Sequence, residues 1–523
     1  MARGWSKSMN DAFHSLVGDY RSDYAMGTNS RFRPQPSGVS VTGSGADYHW
    51  RNEVQYMRAV ERARHFDRDN MIVGQGVNRL VSNILQDGFN NDIKTGDTGL
   101  DDELNARWKE WTSDPDQCDY EGEKDFNEIT AITLRSTFVD GDIINAGDRD
   151  SGSLRTFEAH RARTPQNTRR NVFLGFLRND KGKKTEVWIT RQETDPRRPV
   201  QFVKDIKPFQ IFDENGHRNV FQSYFPTRSS QTRGVSAFAP IVDAIGMHDD
   251  IQFATLVKQQ VASCYTIFEE IDGDGVPPGS EDGTGDRTTE TLGGGASRTV
   301  EGIAPGMRIT GTPGMKLRGF SPNIPSAEFF QHATLVLTFI AINLDLPVSV
   351  LLLDASNTNF SGWRGAVDQA RQRFRKLQTD FIKHHHTPIY KWKVRQWMAE
   401  DQAILTASKK SGVNVFGHKF KARGFAYIEP SKDALADKVR SESAVASLGG
   451  LADEKGIDWD DLSSAIVDDR AKLIEKAWLK AQEMKGRGID VHWRELAPMP
   501  TPSETKDLIG FESNQQNQGG ENV

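Results

Sequence analysis

The chain has 523 residues, 36% hydrophobic and 26% charged, with a formal net charge of −6. That length allows several domains, and the acidic balance argues against a protein held to nucleic acid by one large basic surface, because phosphate binding needs clustered lysine and arginine. Two cysteines, Cys118 and Cys264, make no disulfide framework and are expected as buried thiols in a reducing compartment. No apolar run reaches the ~18 residues of a membrane span, and Met1–Ser8 lacks the apolar core of a secretion signal.

Residues 1–48 mix Gly, Ser, Arg and Pro without period and are expected to form an arm ordered only by a partner. Residues 50–86 predict a charged helix and then an apolar one carrying Ile72, Val73, Val77, Leu80, Val81 and Ile84, with Gly88 placed to end it. Gly74 and Gly76 lie inside this helical pattern with no strand before them, so close helix packing explains them better than a nucleotide loop. Trp108 and Trp111 sit on a short amphipathic helix ending at Asp114-Pro115, and Phe126–Phe138 predicts another that stops at Asp140-Gly141. The carboxylates Asp140, Asp142, Asp148 and Asp150 fail the EF-hand spacing, since Ile144 stands where an oxygen ligand belongs; a solvated turn is the expectation. Val172–Leu177, a turn at Asn179–Gly182 and Glu186–Thr190 predict a hairpin, continued by Phe209, Ile211 and Phe212.

A long helix is expected over 236–271, its apolar positions interrupted by His248, Asp249 and Asp250. Residues 272–300 are rich in Gly, Asp, Ser and Thr and read as a flexible insertion. Pro325–Asp345 has Phe329, Ala333, Val336, Leu337, Ile340 and Leu344 at helical spacing, and Leu346-Pro347 stops it. A polar run follows, with Asn359 or Ser361 as N-cap. The next helix is long and Arg-rich, with the stripe Trp363, Ala366, Val367, Ala370, Phe374, Leu377 and Phe381. His384-His-His386 reads as a polar helix end. Val413–Phe416 and Gly424–Ile428 predict strands, Glu429-Pro430 opens a helix broken at Gly449-Gly450, and Asp458–Lys485 predicts the last helix. Residues 498–523, rich in Pro, Asn and Gln, read as disordered.

The order of these pieces resembles the portal proteins of tailed bacteriophages of the phage lambda type. The resemblance rests on Arg233-Gly-Val-Ser-Ala-Phe-Ala-Pro240, on the Leu-Pro stop before Asn359-Phe-Ser-Gly-Trp-Arg364, on Arg62–Asn70, and on the Pro-x-Lys opening at Pro430. It covers roughly residues 50–490, with departures at the 275–300 insertion and at Trp363. The resemblance implies an α+β, portal-type fold with long stem and wing helices, small antiparallel β elements in wing and clip, and a helical crown. By the resemblance, 1–48 is an N-terminal arm, 49–235 the wing, 236–271 stem helix 1, and 272–323 the clip. Residues 324–346 become stem helix 2, 347–361 the tunnel loop, 362–430 the long wing helix with return strands, 431–497 the crown and 498–523 a tail.

The resemblance further implies a ring of about twelve copies at one capsid vertex of the virion, assembled in the host cytoplasm. Double-stranded DNA would pass through it, driven by a terminase, and the major capsid protein, scaffold and a head–tail adaptor would be the other partners, with no membrane. The tunnel loop residues Ser356, Asn357, Thr358, Asn359, Phe360 and Arg364 are the candidate DNA contacts. Asp243, Asp249, Asp250, Glu269 and Glu270 are the candidate acidic lining of the stem, which would repel phosphates and prevent sticking. No Walker loop, Gly-x-Ser-x-Gly elbow or His-Glu-x-x-His motif occurs, so no catalytic residue, metal or cofactor is expected. The rival reading is a metal-dependent phage nuclease or maturation protease using Asp140 and Asp142.

Overall fold

The computed structural model describes residues 53–165, 170–190, 206–229, 231–264, 267–269, 287–292, 296–301, 308–310, 327–354, 356 and 358–497. The candidates Asn357 and Glu270, the arm 1–48 and the tail 498–523 lie outside these residues. So do the side chains of Asp243, Cys264 and Glu269. The chain divides into two compact units, residues up to 86 with 93–417, and 87–92 with the residues from 418 on.

In the first unit, helices α1 (Glu53–Asp69) and α2 (Met71–Leu85) meet at Asn70, whose side chain accepts from the backbone N–H of Ile72 and Val73 at 3.2 and 3.1 Å. α2 buries Val73, Val77, Leu80 and Ile84. A Cβ on Gly76 would lie 2.8 Å from Leu344 Cδ1 and 3.1 Å from Leu351 Cδ1, so the glycine allows close packing, as its helical context suggested. α2 ends at Gln86, itself at φ 51°, before Gly88 is reached. After strand β1 (Phe89–Ile93) come α3 (Thr98–Ser113) and α4 (Phe126–Val139), the latter opened by a reciprocal capping box between Asp125 and Glu128.

Two antiparallel sheets follow. One has the order β3-β2-β8, from β2 (Asp142–Gly147), β3 (Leu154–Glu158) and β8 (Val220–Tyr224). The other has the order β4-β5-β6-β7, from Val172–Phe173, Phe176–Arg178, Lys184–Thr190 and Ile206–Gln210. Ile144, Ala146, Phe157 and Val220 from the first sheet meet Phe176, Val187 and Ile189 from the second in one apolar core. The expected hairpin is present, with Phe176 opposite Val187, but Leu174 and Gly175 at positive φ break its first arm into two short strands.

The long helices are shorter than their sequence reading. α5 spans Val242–Cys264, because Ser236–Ile241 are taken up by a turn and by bonds to neighbouring segments. Within the insertion, β10 (Arg287–Leu292) and β11 (Ala296–Glu301) pair antiparallel, so this part is a hairpin and not an irregular linker; its Thr-rich arms carry the β propensity. β9 (Ile267–Glu269) and β12 (Arg308–Thr310) pair in parallel, which departs from the expected all-antiparallel elements. α6 (Ala327–Asn343) buries Val336 and Ile340, and Leu344 just beyond it is also buried. The segment after Pro347 is not all loop: α7 (Val348–Leu352) plugs Leu351 into the core, 1% exposed. α8 (Phe360–Phe381) buries Ala370, Phe374, Leu377 and Phe381 as predicted. A π-turn at Ile382–His386 joins it to α9 (Thr387–Glu400), and α10 (Gln402–Ser408) follows.

The triple histidine is not simply a polar helix end. His384 is exposed, but His385 and His386 are buried in the π-turn, within an aromatic cluster. His385 stacks on Phe126 at 6.0 Å and Phe381 at 5.0 Å, and Trp108 and Trp111 pack on the same Phe126. The extra residue of the π-turn is what lets two adjacent side chains enter one core.

In the second unit β1 pairs with β13 (His418–Ala422), where two separate strands had been expected on either side of it. Lys421, 6% exposed by its side chain, reaches Asp92 at 3.0 Å, Asp453 at 2.9 Å and Asp458 at 3.1 Å. Burial pushes the Asp458 carboxyl up, and Lys421 together with the N–H groups of Asp460 and Asp461 outweighs it, holding it down at about 2. Helices α11 (Pro430–Glu442), α12 (Leu448–Glu454) and α13 (Trp459–Gly486) complete the unit. The break falls at Ser443–Ser447, while Gly449 and Gly450 sit in the first turn of α12, capped by Ser447. Among the described residues no helix is long and apolar enough to cross a membrane.

Burial pushes the His385 imidazole down to about 3 and that of His386 well below its ordinary range. Both are neutral when folded and would gain a proton on unfolding below their ordinary value of about 6.5. Stability linked to them is therefore complete above that pH and is lost as pH falls toward 3, at up to about 1.4 kcal/mol per pH unit for each group. Chemical denaturation between pH 7 and 4 should show this slope, and His385→Phe should reduce it. A slope unchanged in that variant would remove His385 from acid lability.

Candidate functional site

The motif Arg233-Gly234-Val235-Ser236 does not simply open a helix. Its arginine is wholly buried and ion-paired with Asp142: Nε donates to Oδ2 at 2.6 Å and Nη2 to Oδ1 at 2.8 Å. Nη2 also donates to the Tyr56 hydroxyl and to Ala159 O, and Nη1 to the carbonyls of Ala162 and Leu174. Asp142 further accepts from Tyr56 Oη at 2.8 Å and Gln222 Nε2 at 2.7 Å. Burial pushes the Asp142 carboxyl up, but the Arg233 charge outweighs it and holds it below the usual range. Each charge thus has its partner and each donor an acceptor, which a pair removed from water requires.

The glycines beside this pair are in backbone contact. Gly141 has φ +98°, and a Cβ there would lie 2.7 Å from Gly234 C and Val235 N; a Cβ on Gly234 would strike Gly141 O. Ala237 N donates to Phe138 O at 2.8 Å, and Asn343 Nδ2 donates to Ala237 O at 2.6 Å. One short segment therefore ties the end of α4, the start of β2, the root of α5 and the end of α6 together.

Asp140 and Asp142 are thus not the solvated turn that was expected, being 4% and 0% exposed. The physical reason is the arginine each one meets: Asp140 receives Arg64 Nε and Nη2 at 2.8 and 2.6 Å. With their oxygens committed to two different arginines, these carboxylates do not converge on a common point, and the described residues hold no group of three metal-ligating side chains. The nuclease or protease reading gains nothing from them.

The candidate loop residues lie around the start of α8. Asn359 is the N-cap, its Oδ1 accepting from Gly362 N at 2.7 Å. Ser356 is exposed and its N–H donates to Asp354 Oδ1 at 2.9 Å; Thr358 is exposed too. The Phe360 ring is 54% exposed and sits 6.3 Å from that of Trp363. Arg364 is half-buried. Leu353, which sequence reasoning passed over, is 75% exposed in a left-handed conformation. Of the acidic positions on α5, Asp249 and Asp250 are exposed, and Asp249 accepts from Asn70 Nδ2 at 3.1 Å. Arg233 and Asp142 had each been noticed, but 91 positions separate them and nothing in the chain marks them as partners.

Residues 34–378 match the family described as "Phage portal protein, lambda family". That is more than half of the chain, and the chain belongs to this family of phage portal proteins. Its function is that of a portal protein. Among similar proteins is one described as "Probable portal protein" from Halomonas phage phiHAP-1 (isolate -/Gulf of Mexico/-/2001), 21% identical over 416 residues, which span 77% of this chain and 75% of that protein. Among solved structures, a chain of "Neck of empty GTA particle computed with C6 symmetry" aligns with a TM-score of 0.39 at 13% identity, over 77% of this chain and 92% of that one.

Removing the Arg233 guanidinium leaves Asp142 buried without a counter-ion. Arg233→Met should destabilise the first unit by about 3–5 kcal/mol, and pairing it with Asp142→Leu should recover a large part of that loss. Thermal unfolding of the two variants checks this; a double variant no more stable than the single one would show that the pair does not act as a unit.

Proposed function

We propose that about twelve copies of this chain close into a ring at one capsid vertex, as other closed heterologous assemblies do, and that double-stranded DNA enters and leaves along its axis. In this reading α5 and α6 are the stem, the strands between them the clip, residues 347–361 the tunnel loop, and the second unit the crown. A terminase drives the DNA; the major capsid protein, scaffold and head–tail adaptor surround the ring.

The observation that carries the reading is the apolar surface left open on the two stem helices. Phe253 and Leu256 on α5 are 69% and 59% exposed, and Leu335, Phe339 and Ile342 on α6 are 47%, 48% and 66% exposed. On α6 these residues stand on a different face from buried Val336 and Ile340, and on α5 they lie further along the helix than buried Ile245, so part of each helix packs in its own subunit while apolar side chains elsewhere on it stay exposed. Exposed apolar surface of this kind calls for a partner, and neighbouring copies of the same stem supply one. Asp249 and Asp250 would then turn an acidic face to the passing DNA, together with Asp243, Glu269 and Glu270. Phosphates are repelled by such a wall and slide along it.

The tunnel loop touches DNA weakly and without reading bases, because contacts to the backbone carry no sequence information. Ser356, Asn357, Thr358, Phe360 and Arg364 are the contacting groups, and Asn359 serves as the cap that fixes where α8 begins. Replacing 356–358 by glycine and serine while keeping Asn359 should leave rings intact in electron micrographs and lower the DNA content of particles in a complementation assay. Full-length DNA in particles built from that variant would take the loop out of the mechanism. Wild-type protein that stays monomeric in light scattering under all conditions would overturn the ring itself.

A further inference from the structure

A closed heterologous ring requires two unlike faces on each copy that fit one another. Two oppositely charged surfaces lie at opposite edges of the β3-β2-β8 sheet. Along the β3 edge, residues 110–128 hold eight carboxylates and one lysine, a net charge of −7 against −6 for the entire chain. This segment is joined to β3 by a bridge between Asp119 and Leu154 and by Tyr120 N donating to Leu154 O at 3.0 Å. The side chains of Glu121 and Glu123 are 49% and 74% exposed and share Lys124.

Beyond the β8 edge stand Arg178, Lys181, Lys183, Lys184 and Arg218. Lys184 Nζ donates to Gln222 Oε1 on β8 at 2.6 Å and to Thr232 O at 2.8 Å. Arg178 donates to the carbonyls of Gly182 and Gln231 and to the Thr232 hydroxyl. Lys183 Nζ lies 3.6 Å and the Arg218 guanidinium 5.1 Å from the centre of the Phe212 ring. The hydrogen-bond and ring partners of Arg178, Lys183, Lys184 and Arg218 are therefore neutral among the described residues. Neighbouring carboxylates are engaged elsewhere, Asp142 by Arg233, Glu186 by Arg170 and Asp213 by Arg149 and His217, while Asp180 and Glu214 are exposed on the flanking turns. Burial pushes the Lys184 ammonium down to about 7; Asp142 opposes that, and Arg178, Arg233 and Arg218 reinforce it. The cluster is a concentration of positive charge that an incoming anion would stabilise.

We propose that the cationic surface around Phe212 receives the acidic 110–128 segment of the neighbouring copy, so that the ring is closed between wings by charge as well as between stems by apolar contact. This rests on the ring reading above. Charge complementarity selects the occupant: a strongly acidic stretch and a cluster of cations whose partners among the described residues are neutral lie at opposite edges of one sheet, the arrangement a head-to-tail contact needs.

The test uses the full chain with two double reversals, Lys183→Glu with Arg218→Glu, and Glu121→Lys with Glu123→Lys, and the four-site combination. All four positions are on exposed side chains or turns, and circular dichroism confirms folding before assembly is read. Sedimentation velocity at about 0.15 M salt, where surface charges act over ~8 Å, measures the ring fraction. Each double reversal should raise the concentration needed for rings by about tenfold or more, and the combination should bring it back toward wild type. Rings in both doubles at the wild-type concentration, or no rescue in the combination, overturn the proposal while leaving the ring intact. Binding of a labelled DNA duplex that is lost in the first variant while its rings persist would reassign the surface to nucleic acid and equally overturn it. Wild-type protein that forms no rings would instead defeat the ring reading itself.

Discussion

The ion pair between Arg233 and Asp142 is the constraint on which the first unit depends. A buried pair adds little net stability over an apolar replacement, because both charges leave water. What it adds is position. The guanidinium donates to Asp142 and Tyr56 and to the carbonyls of Ala159, Ala162 and Leu174, so it fixes the start of β2, the helix α1, the segment after β3 and the turn between β4 and β5. Gly141 and Gly234 let the two backbones touch where the carboxylate and the arginine must meet. The root of α5 is thereby placed by covalent neighbours of a residue that cannot move without stranding a charge.

This arrangement explains which parts of the fold were legible in the sequence. Helical stripes such as Phe374, Leu377 and Phe381 were readable because burial on one face leaves a period, and Asn359 was readable as a cap because its chemistry is local. The hairpin over 172–190 announced itself by its turn. Asp140 and Asp142 were misread because a carboxylate near a glycine looks the same whether water or a distant arginine solvates it. The histidines at 385 and 386 were misread for a related reason: their burial depends on a π-turn and on Phe126, more than 250 positions away in the chain. The hairpin at 287–301 was obscured by the glycines around it. At the candidate site, Asn359 caps the following helix as its chemistry suggested, but the short helix that plugs Leu351 into the core and leaves Leu353 outside was not legible, since an apolar run gives no phase of its own.

The aromatic cluster and the lysine in the second unit solve the same problem by different chemistry. Around Phe126, adjacent histidines are kept neutral and packed as flat rings, so a polar run of sequence becomes core. Around Lys421, three carboxylates converge on one ammonium, so two strands, the end of one helix and the start of the next are joined with little apolar surface. The first device resists water and is undone by protons. The second tolerates partial exposure and is weakened by salt, as expected for charges that solvent can screen.

The second unit is made from two distant pieces of chain. β1 ends at Ile93 and its strand partner among the described residues, β13, begins at His418. During synthesis at about 5–20 residues per second, β1 leaves the ribosome roughly 15–65 s before the strand that will cover its backbone groups. For that interval it is an unpaired edge carried by a half-made protein, and edges of this kind are templates for wrong pairing. Its sequence, Phe-Asn-Asn-Asp-Ile, suits the wait: two asparagines and an aspartate give a strand too polar to attract a stranger. A polar strand of this kind is suited to a segment whose partner is made long after it.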